Sequence, residues 1–280
     1  VAWTTTPTLA GAVRRAVAAL PAHATETDRM MAGVVAAGAV DPFRDDRSAE
    51  GATATGRRLI RAIVDSLPER GTTDDDRIAH RLWVRLADGP DEGWPLLETV
   101  LVALADHGMA TSTLAARLAA STRAGPHAVV LAGLGAVAGP LHGAASRTVH
   151  ELFVDAEAHG ADAAIAEIMR RDGKVPGLGH FIHTTSDPRH ALIFDALADA
   201  DAPDERLDVV ASVISLTSER IPVPPNVDLA LGALTYVTGM GPDAGEVVFA
   251  IARTAGWIAH ALEEYQETPI RSRWDRADAT

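Results

Sequence analysis

Cysteine is absent from the 280 residues, which excludes disulfide staples and thiolate metal centres. Aromatic residues make up only 4% of the chain, and lysine occurs once, as Lys174. The 25 basic residues face 38 acidic ones, for a net charge of −13. Nucleic acid and anionic membrane surfaces need a dense basic footprint, so neither is an expected partner. Any anionic ligand must be met locally. Long apolar runs are missing too, because Arg, Asp, His, Gly or Pro interrupts each stretch before the ~20 residues of a membrane span. The segment AVRRAVAALPAHA imitates a secretory leader only weakly, since its apolar centre is too short. A soluble cytoplasmic protein is expected.

What is present is 47% hydrophobic residues, mostly Ala, Leu and Val, which lose little rotamer freedom in helices or let helices approach closely. Periodicity agrees. Over 243–265, Val247, Ile251, Ala255, Ile258 and Leu262 recur at three- and four-residue steps and share a predicted face. Asp243 and Glu246 suggest a capping box at its start, between Pro242 and Pro269. Leu59, Ile60, Ile63, Val64 and Leu67 repeat the pattern over 57–67, as Ile78, Leu82, Trp83 and Leu86 do over 76–87. Ser186-Asp187-Pro188 predicts a helix start, with the helix running to about Ala200. Alternating strand patterns are nearly absent, so the fold class is all-α. The segment HAVVLAGLGAVAG (127–139) is apolar or small on every side. It predicts a helix buried either at a domain centre or at a subunit interface. Breaks are expected around 41–52, 70–76 and 221–228.

Polar chemistry gathers where glycine and proline do: GPLHGAAS at 139–146, KVPGLGHFIHTTSDPR at 174–189 and PPNVD at 224–228. In the first two a histidine sits beside glycine on a turn, where backbone approaches a ligand closely and an imidazole faces a cleft. Singly each is weak, because a histidine near glycine is commonly a surface or cap residue. Three such loops in order, the last ending in a carboxylate, ask for a joint explanation.

Those loops, in this order and spacing, resemble the citrate synthase family, which includes the 2-methylcitrate synthases. The resemblance extends through LADHGMATSTLAARLAAST (104–122), NVDLALGALTY (226–236) and FAIARTAGWIAHALEEY (249–265) to IRSR (270–273). It covers about 100–273, and more faintly 17–69. It implies a two-domain all-α fold, with a large domain from 1–145 and 236–280 and a smaller mobile one from 146–235. It also implies a homodimer with 127–139 at the subunit contact.

The resemblance further implies roles. His142 matches the donor to the thioester oxygen of an acyl-CoA, Asp228 the base that removes its α-proton, and His180 the group that polarises the ketone of oxaloacetate. His107, Arg189 and Arg271 match the groups that hold the oxaloacetate carboxylates. Val175, Pro176, Gly177, Leu178 and Gly179 match the loop that receives the adenine end of CoA. The reaction implied is condensation of acetyl- or propionyl-CoA with oxaloacetate or a related 2-oxo acid, with release of CoA and with no bound cofactor or metal.

The chemistry suits these residue types. A thioester α-proton is too weakly acidic for a carboxylate alone, so a preorganised donor must take the developing enolate charge, a contribution of about 3–4 kcal/mol. General-base catalysis adds ~10²–10⁴-fold, and the planar fork of Arg binds both oxygens of a carboxylate. Other polar residues have plainer readings. His183 competes with His180 for the ketone, but the nine-residue step to Arg189 favours His180. His260 reads as a packed or capped residue, and His107 and His127 lack metal-like spacing with a third ligand. Arg170, Arg171 and Lys174 suit CoA phosphates or a solvated helix end, and Arg273 and Arg276 suit a carboxylate contact across a dimer.

Departures from the family pattern bear on substrate and rate. The loop after His142 reads Gly143-Ala144-Ala145-Ser146 where the family usually has GGAN. His180 is followed by Phe181-Ile182-His183 where Arg and an aromatic residue are frequent. The family's opening YRG segment has no counterpart, and the tail after IRSR is brief. Two alternatives therefore stay open: citryl-CoA lyase-like cleavage by the same residues in reverse, and a non-catalytic subunit of a hetero-oligomer with a full-length homologue.

Overall fold

The computed structural model describes residues 3–88, 91–139, 142–143, 145–180, 182–200 and 203–271. Over these the chain forms thirteen α-helices: α1 (Pro7–Ala18), α2 (Glu26–Val40), α3 (Ala49–Ser66), α4 (Ile78–Leu86), α5 (Trp94–Leu104), α6 (Thr111–Ser121), α7 (Pro126–Val137), α8 (Ala145–His159), α9 (Ala161–Asp172), α10 (Pro188–Ala198), α11 (Asp204–Arg220), α12 (Val227–Val237) and α13 (Ala244–Glu264). No strand occurs among the described residues; extended backbone pairs only at the isolated bridge between Leu178 and Pro225. Ala144, Phe181, Arg273 and Arg276 lie outside the described residues. None of the described helices is long and apolar enough to cross a membrane.

Helix starts follow their local chemistry. Thr25 and Asp28 exchange backbone and side-chain hydrogen bonds in a capping box at α2, which satisfies amides that have no partner within the helix. Asp187 caps α10 as its sequence predicts, by accepting from the Arg189 amide. The capping box expected at α13 does not form. Asp243 makes no side-chain cap and instead pairs with Arg147 at 2.6 Å, while Glu246 accepts from the Thr27 hydroxyl.

The periodic apolar sets in α3 and α4 are buried as predicted. Of the expected face of α13, Val247, Ile251 and Ile258 are buried and Leu262 is half-buried, but the buried surface extends well beyond that face. Ala255 is exposed, and the fully exposed positions of the helix are confined to the stripe Ala255, Ala259 and Glu263. The helix packs against α3, α5, α6 and α7 and also touches α8 and α12, so a central position overrides the amphipathic reading. In α7, by contrast, Ala128 and Gly135 stay exposed. α12 is buried along almost its whole length between α8 and α10, and α8, α9 and α11 pack on one another. The N-terminal end of α12, the loop before α10 and the middle of α13 thus come to one place.

Candidate active site

Two loops build one wall. The Gly179 amide donates to the Pro224 carbonyl (2.7 Å), the Asn226 amide donates to the Gly177 carbonyl (2.9 Å), and the Asn226 side-chain amide donates to the Gly179 carbonyl (2.6 Å). Gly177 makes this closeness possible. Its φ is +75°, and a Cβ there would stand 2.9 Å from Leu229 Cα. Asn226 Oδ1 also accepts from the Asp228 and Leu229 amides, so one side chain caps α12 and holds 177–179 against its first turn. The segment Val175–Gly179 is therefore fixed by backbone pairing next to Asp228.

Asp187 is the second tie. Its carboxylate is fully buried, accepts from Arg189 Nε (2.9 Å) and Nη2 (2.7 Å), and takes the Val227 amide at 3.1 Å. These charge-assisted bonds outweigh its desolvation and hold its pKa down at about 2, as stabilisation of the charged form requires. Arg189 is thus aimed, with Nη1 free of this pairing. Asp228 has the opposite fate, because burial pushes its carboxyl up to about 6, against the lowering influence of Arg189.

His180 follows directly from the loop. Its Nδ1 accepts from the amides of Ile182 (3.0 Å) and His183 (3.1 Å), so the neutral ring carries its proton on Nε2. Nε2 faces the Arg189 guanidinium, 3.5 Å away. Burial, and then the Arg189 charge, lower the His180 pKa. His107 reaches the same place from the segment after α5. Its ring centroid lies 5.3 Å from that of His180 and 5.0 Å from that of His183. Desolvation, followed by Arg189 and Arg253, takes its pKa to about 4.

The opposite wall belongs to α13 and includes a residue that its sequence pattern does not single out. Arg253 is completely buried. Its Nε donates to the Leu104 carbonyl (2.9 Å), its guanidinium lies 4.7 Å from the Phe249 ring centroid, and both Nη atoms are buried without a hydrogen-bond partner. Burial and the neighbouring Arg189 lower its pKa to about 10. One turn on, Gly256 donates to the Ala105 carbonyl (3.0 Å), where a Cβ would approach that oxygen to 2.4 Å. Together Arg253 and Gly256 clasp the end of α5 and so place His107. The available signal was an arginine inside an otherwise apolar helix, in ART at 252–254.

His142 completes the row. Its Nε2 pairs with the fully buried Ser112 hydroxyl of α6 at 2.9 Å, and its ring meets Phe249 edge to face at 5.4 Å. Burial, then Arg253, lower its pKa. Arg271 stands apart from this cluster. It is exposed at the last described residue and has no hydrogen-bond or ion-pair partner among the described residues. His260 bonds Asp106 and Glu263, and Arg170 and Arg171 pair with Glu167 and Asp172 on the surface. One ring nitrogen each from His107, His180 and His183 lies within 4.8 Å of the other two, a proximity that the spacing of His107 and His127 alone did not foretell.

The arrangement brings the guanidinium groups of Arg189 and Arg253 and the imidazoles of His107 and His180 within electrostatic reach of one another, with Asp228, a carboxylate of raised pKa, in the field of Arg189. Such a set has the charge to attract an anion and a carboxylate basic enough to accept a proton. The citrate synthase C-terminal domain profile matches residues 2–273, and the chain belongs to the citrate synthase family. It is 28% identical over 205 residues to the citrate synthase of Haloferax volcanii, covering 70% of this chain and 54% of that protein. It is 32% identical over 206 residues to the 2-methylcitrate synthase of Shewanella oneidensis, covering 71% of this chain and 54% of that protein. Among solved structures it resembles the ternary complex of carboxymethyl coenzyme A and oxaloacetate with citrate synthase from Thermoplasma acidophilum, with a TM-score of 0.71 and 22% identity over 95% of this chain and 75% of that one. The chain spans about half the length of the curated relatives it matches.

Proposed function

We propose that the chain carries a citrate synthase-type condensation, in which the enolate of acetyl- or propionyl-CoA attacks the ketone of oxaloacetate or a related 2-oxo acid and the thioester is then hydrolysed to release CoA. The observation that carries this is the contrast, among side chains gathered around Arg189 and Arg253, between Asp228, whose pKa is raised to about 6, and three histidines, His107, His142 and His180, whose pKa values are lowered. Near neutral pH the carboxylate is ionised yet basic, and the imidazoles are neutral donors.

In this reading the Ser112 hydroxyl donates to His142 Nε2, which leaves Nδ1–H to take the developing charge of the thioester oxygen while Asp228 removes the α-proton. His180 Nε2–H polarises the ketone. Arg189 and Arg253 hold the carboxylates. The carboxylate role that the resemblance gives to Arg271 thereby passes to Arg253, which lies inside the cluster. The loop Val175–Gly179 receives the adenine end of CoA with the backbone groups not spent on 224–226, and no resident metal or organic cofactor takes part.

In this reading helices α8–α12 form the smaller domain and α1–α7 with α13 the larger; α8, α9 and α11 pack on one another, while α10 lies against both α12 and α5. A homodimer is supported by α6, where Leu114 and Leu118, one turn apart, are 51% and 52% exposed beside the small-residue stripe of α7. Light scattering of the purified chain tests the dimer.

The chemical test is a thiol-release panel of acyl-CoAs against several 2-oxo acids. Release with acetyl-CoA or propionyl-CoA and oxaloacetate supports the synthase. Cleavage of citryl-CoA without formation of citrate from acetyl-CoA and oxaloacetate would replace it with the lyase reading. Tight association with a full-length homologue, together with indifference to His142→Ala, would replace it with the subunit reading.

A further inference from the structure

His183 is the one member of the histidine trio without a role in the proposed reaction. Its Nε2 is buried and has no hydrogen-bond partner, as is also true of His107 Nε2, and its ring centroid lies 5.0 Å from those of both His107 and His180. By proximity alone the trio could be drawn in around a transition-metal ion, since the three nitrogens lie within 4.8 Å of one another and tetrahedral zinc ligands stand roughly 3.4 Å apart.

Hydrogen bonding decides against that. The Nδ1 lone pair of His180 is occupied by two backbone amides, so Nε2 carries the proton and offers no lone pair to a cation. Two guanidinium groups point the same way. Arg189 stands 3.5 Å from His180 Nε2, and with that nitrogen protonated the pair is donor against donor. The two Nη atoms of Arg253 are likewise buried donors without protein acceptors. Groups that converge as donors recognise an acceptor, and their charge recognises an anion.

We infer that His183 is a substrate-contacting, specificity-determining residue of this pocket: its side chain donates a hydrogen bond to the carboxylate next to the ketone of a 2-oxo acid whose ketone oxygen is held by His180. The inference rests on the reading of the cleft as a 2-oxo acid site. It adds that the planar unit of ketone and adjacent carboxylate is read by neighbouring imidazoles of one loop, with the arginines left for charge. The pairing is geometrically natural, because the His183 amide itself fixes the His180 ring. A change of the His183 side chain leaves that backbone bond in place, so the two contributions separate experimentally.

The test is calorimetric binding of oxaloacetate, without acyl-CoA, to the wild-type chain, to His183→Leu and to His183→Gln, each before and after treatment with a chelator. Loss of a hydrogen bond to a charged group predicts about 10–100-fold weaker binding for His183→Leu. The amide of His183→Gln restores most of it, because its N–H replaces the imidazole donor. KM for oxaloacetate rises in parallel while kcat changes little. Equal oxaloacetate affinity of His183→Leu and wild type overturns the inference and leaves the condensation reading intact. Wild-type binding that disappears on chelation overturns it in favour of a metal. Failure of the wild type to bind oxaloacetate, 2-oxoglutarate or pyruvate overturns the inference together with the reading beneath it.

Discussion

α7 and α13 pack side by side at the centre of the molecule and meet where the Trp257 ring lies against Gly133, so close that a Cβ on that glycine would come within 2.5 Å of the indole. They bury themselves in opposite ways. α7 has no Asp, Glu, Lys or Arg and, beyond the buried His127 of its first turn, only apolar or small side chains, yet it leaves Ala128 and Gly135 open to solvent. α13 carries Arg253, Thr254 and Glu264, all with no measurable exposure. Each of these polar groups engages a neighbour. Thr254 donates to the Ala250 carbonyl, Glu264 pairs with Arg117 at 2.9 Å, and Arg253 holds the Leu104 carbonyl while keeping two donors in the cleft. A buried charge is costly unless something compensates it. Its persistence in the central helix marks the site, whereas apolar character in α7 marks only a surface suited to covering.

The contrast is broken most severely at Arg253. Replacement by Leu removes the two buried donors; at about 1.5–3 kcal/mol for each bond to a charged acceptor, and a factor of ten per 1.4 kcal/mol, KM for oxaloacetate rises by at least ~100-fold. The melting temperature changes little, since an uncompensated buried cation leaves with its one backbone bond. Steady-state kinetics beside thermal unfolding checks both halves.

Next in size is the response to pH. Asp228 must be ionised to act, so kcat/KM falls about tenfold per pH unit below pH 6, and His107, lowered to about 4, adds no limb above it. Stability runs the other way. Because the folded pKa exceeds the unfolded one, native protein binds the extra proton, and stability contributed by this group is present below about pH 4 and lost as pH rises through 6. Asp228→Asn therefore unfolds at a higher temperature than wild type above pH 6, and the gain vanishes near pH 4.

Gly133→Ala forces the α7 backbone away from Trp257, which has no flexible end to yield, and costs about 1–3 kcal/mol in chemical denaturation. Two positions along, Gly135 has nothing within 4 Å of its missing Cβ. Gly135→Ala is therefore neutral, or stabilises the helix by up to ~1 kcal/mol. Gly135→Leu splits the proposed dimer on a sizing column without unfolding the chain, if the α7 stripe forms the subunit contact.

Much of this was legible in the chain. Period and composition identified the helices, Asp187-Pro188 marked a helix start, and glycine and proline punctuation led to the two loops that carry His180 and Asp228, because special backbone geometry demands those residues. What stayed hidden were features decided by tertiary packing. Arg253 reads as an interruption in an apolar pattern until α13 is seen to be surrounded, and the exposure of Ala255 shows the same override. The expected cap at Asp243 lost to an ion pair with Arg147, a partner 96 residues away. The approach of His107 to His180 and His183 depends on α13 clasping the end of α5, a contact that no local spacing encodes.

In the proposed function one basic carboxylate and a set of neutral donors serve carbon–carbon bond formation. The most direct test of that function is thiol release from acetyl-CoA or propionyl-CoA with oxaloacetate, comparing wild type with Asp228→Ala at matched folded concentration. The account predicts turnover by the wild type that depends on both substrates and falls by ~10²–10⁴-fold in the variant. Wild-type release no greater than that of Asp228→Ala would contradict it.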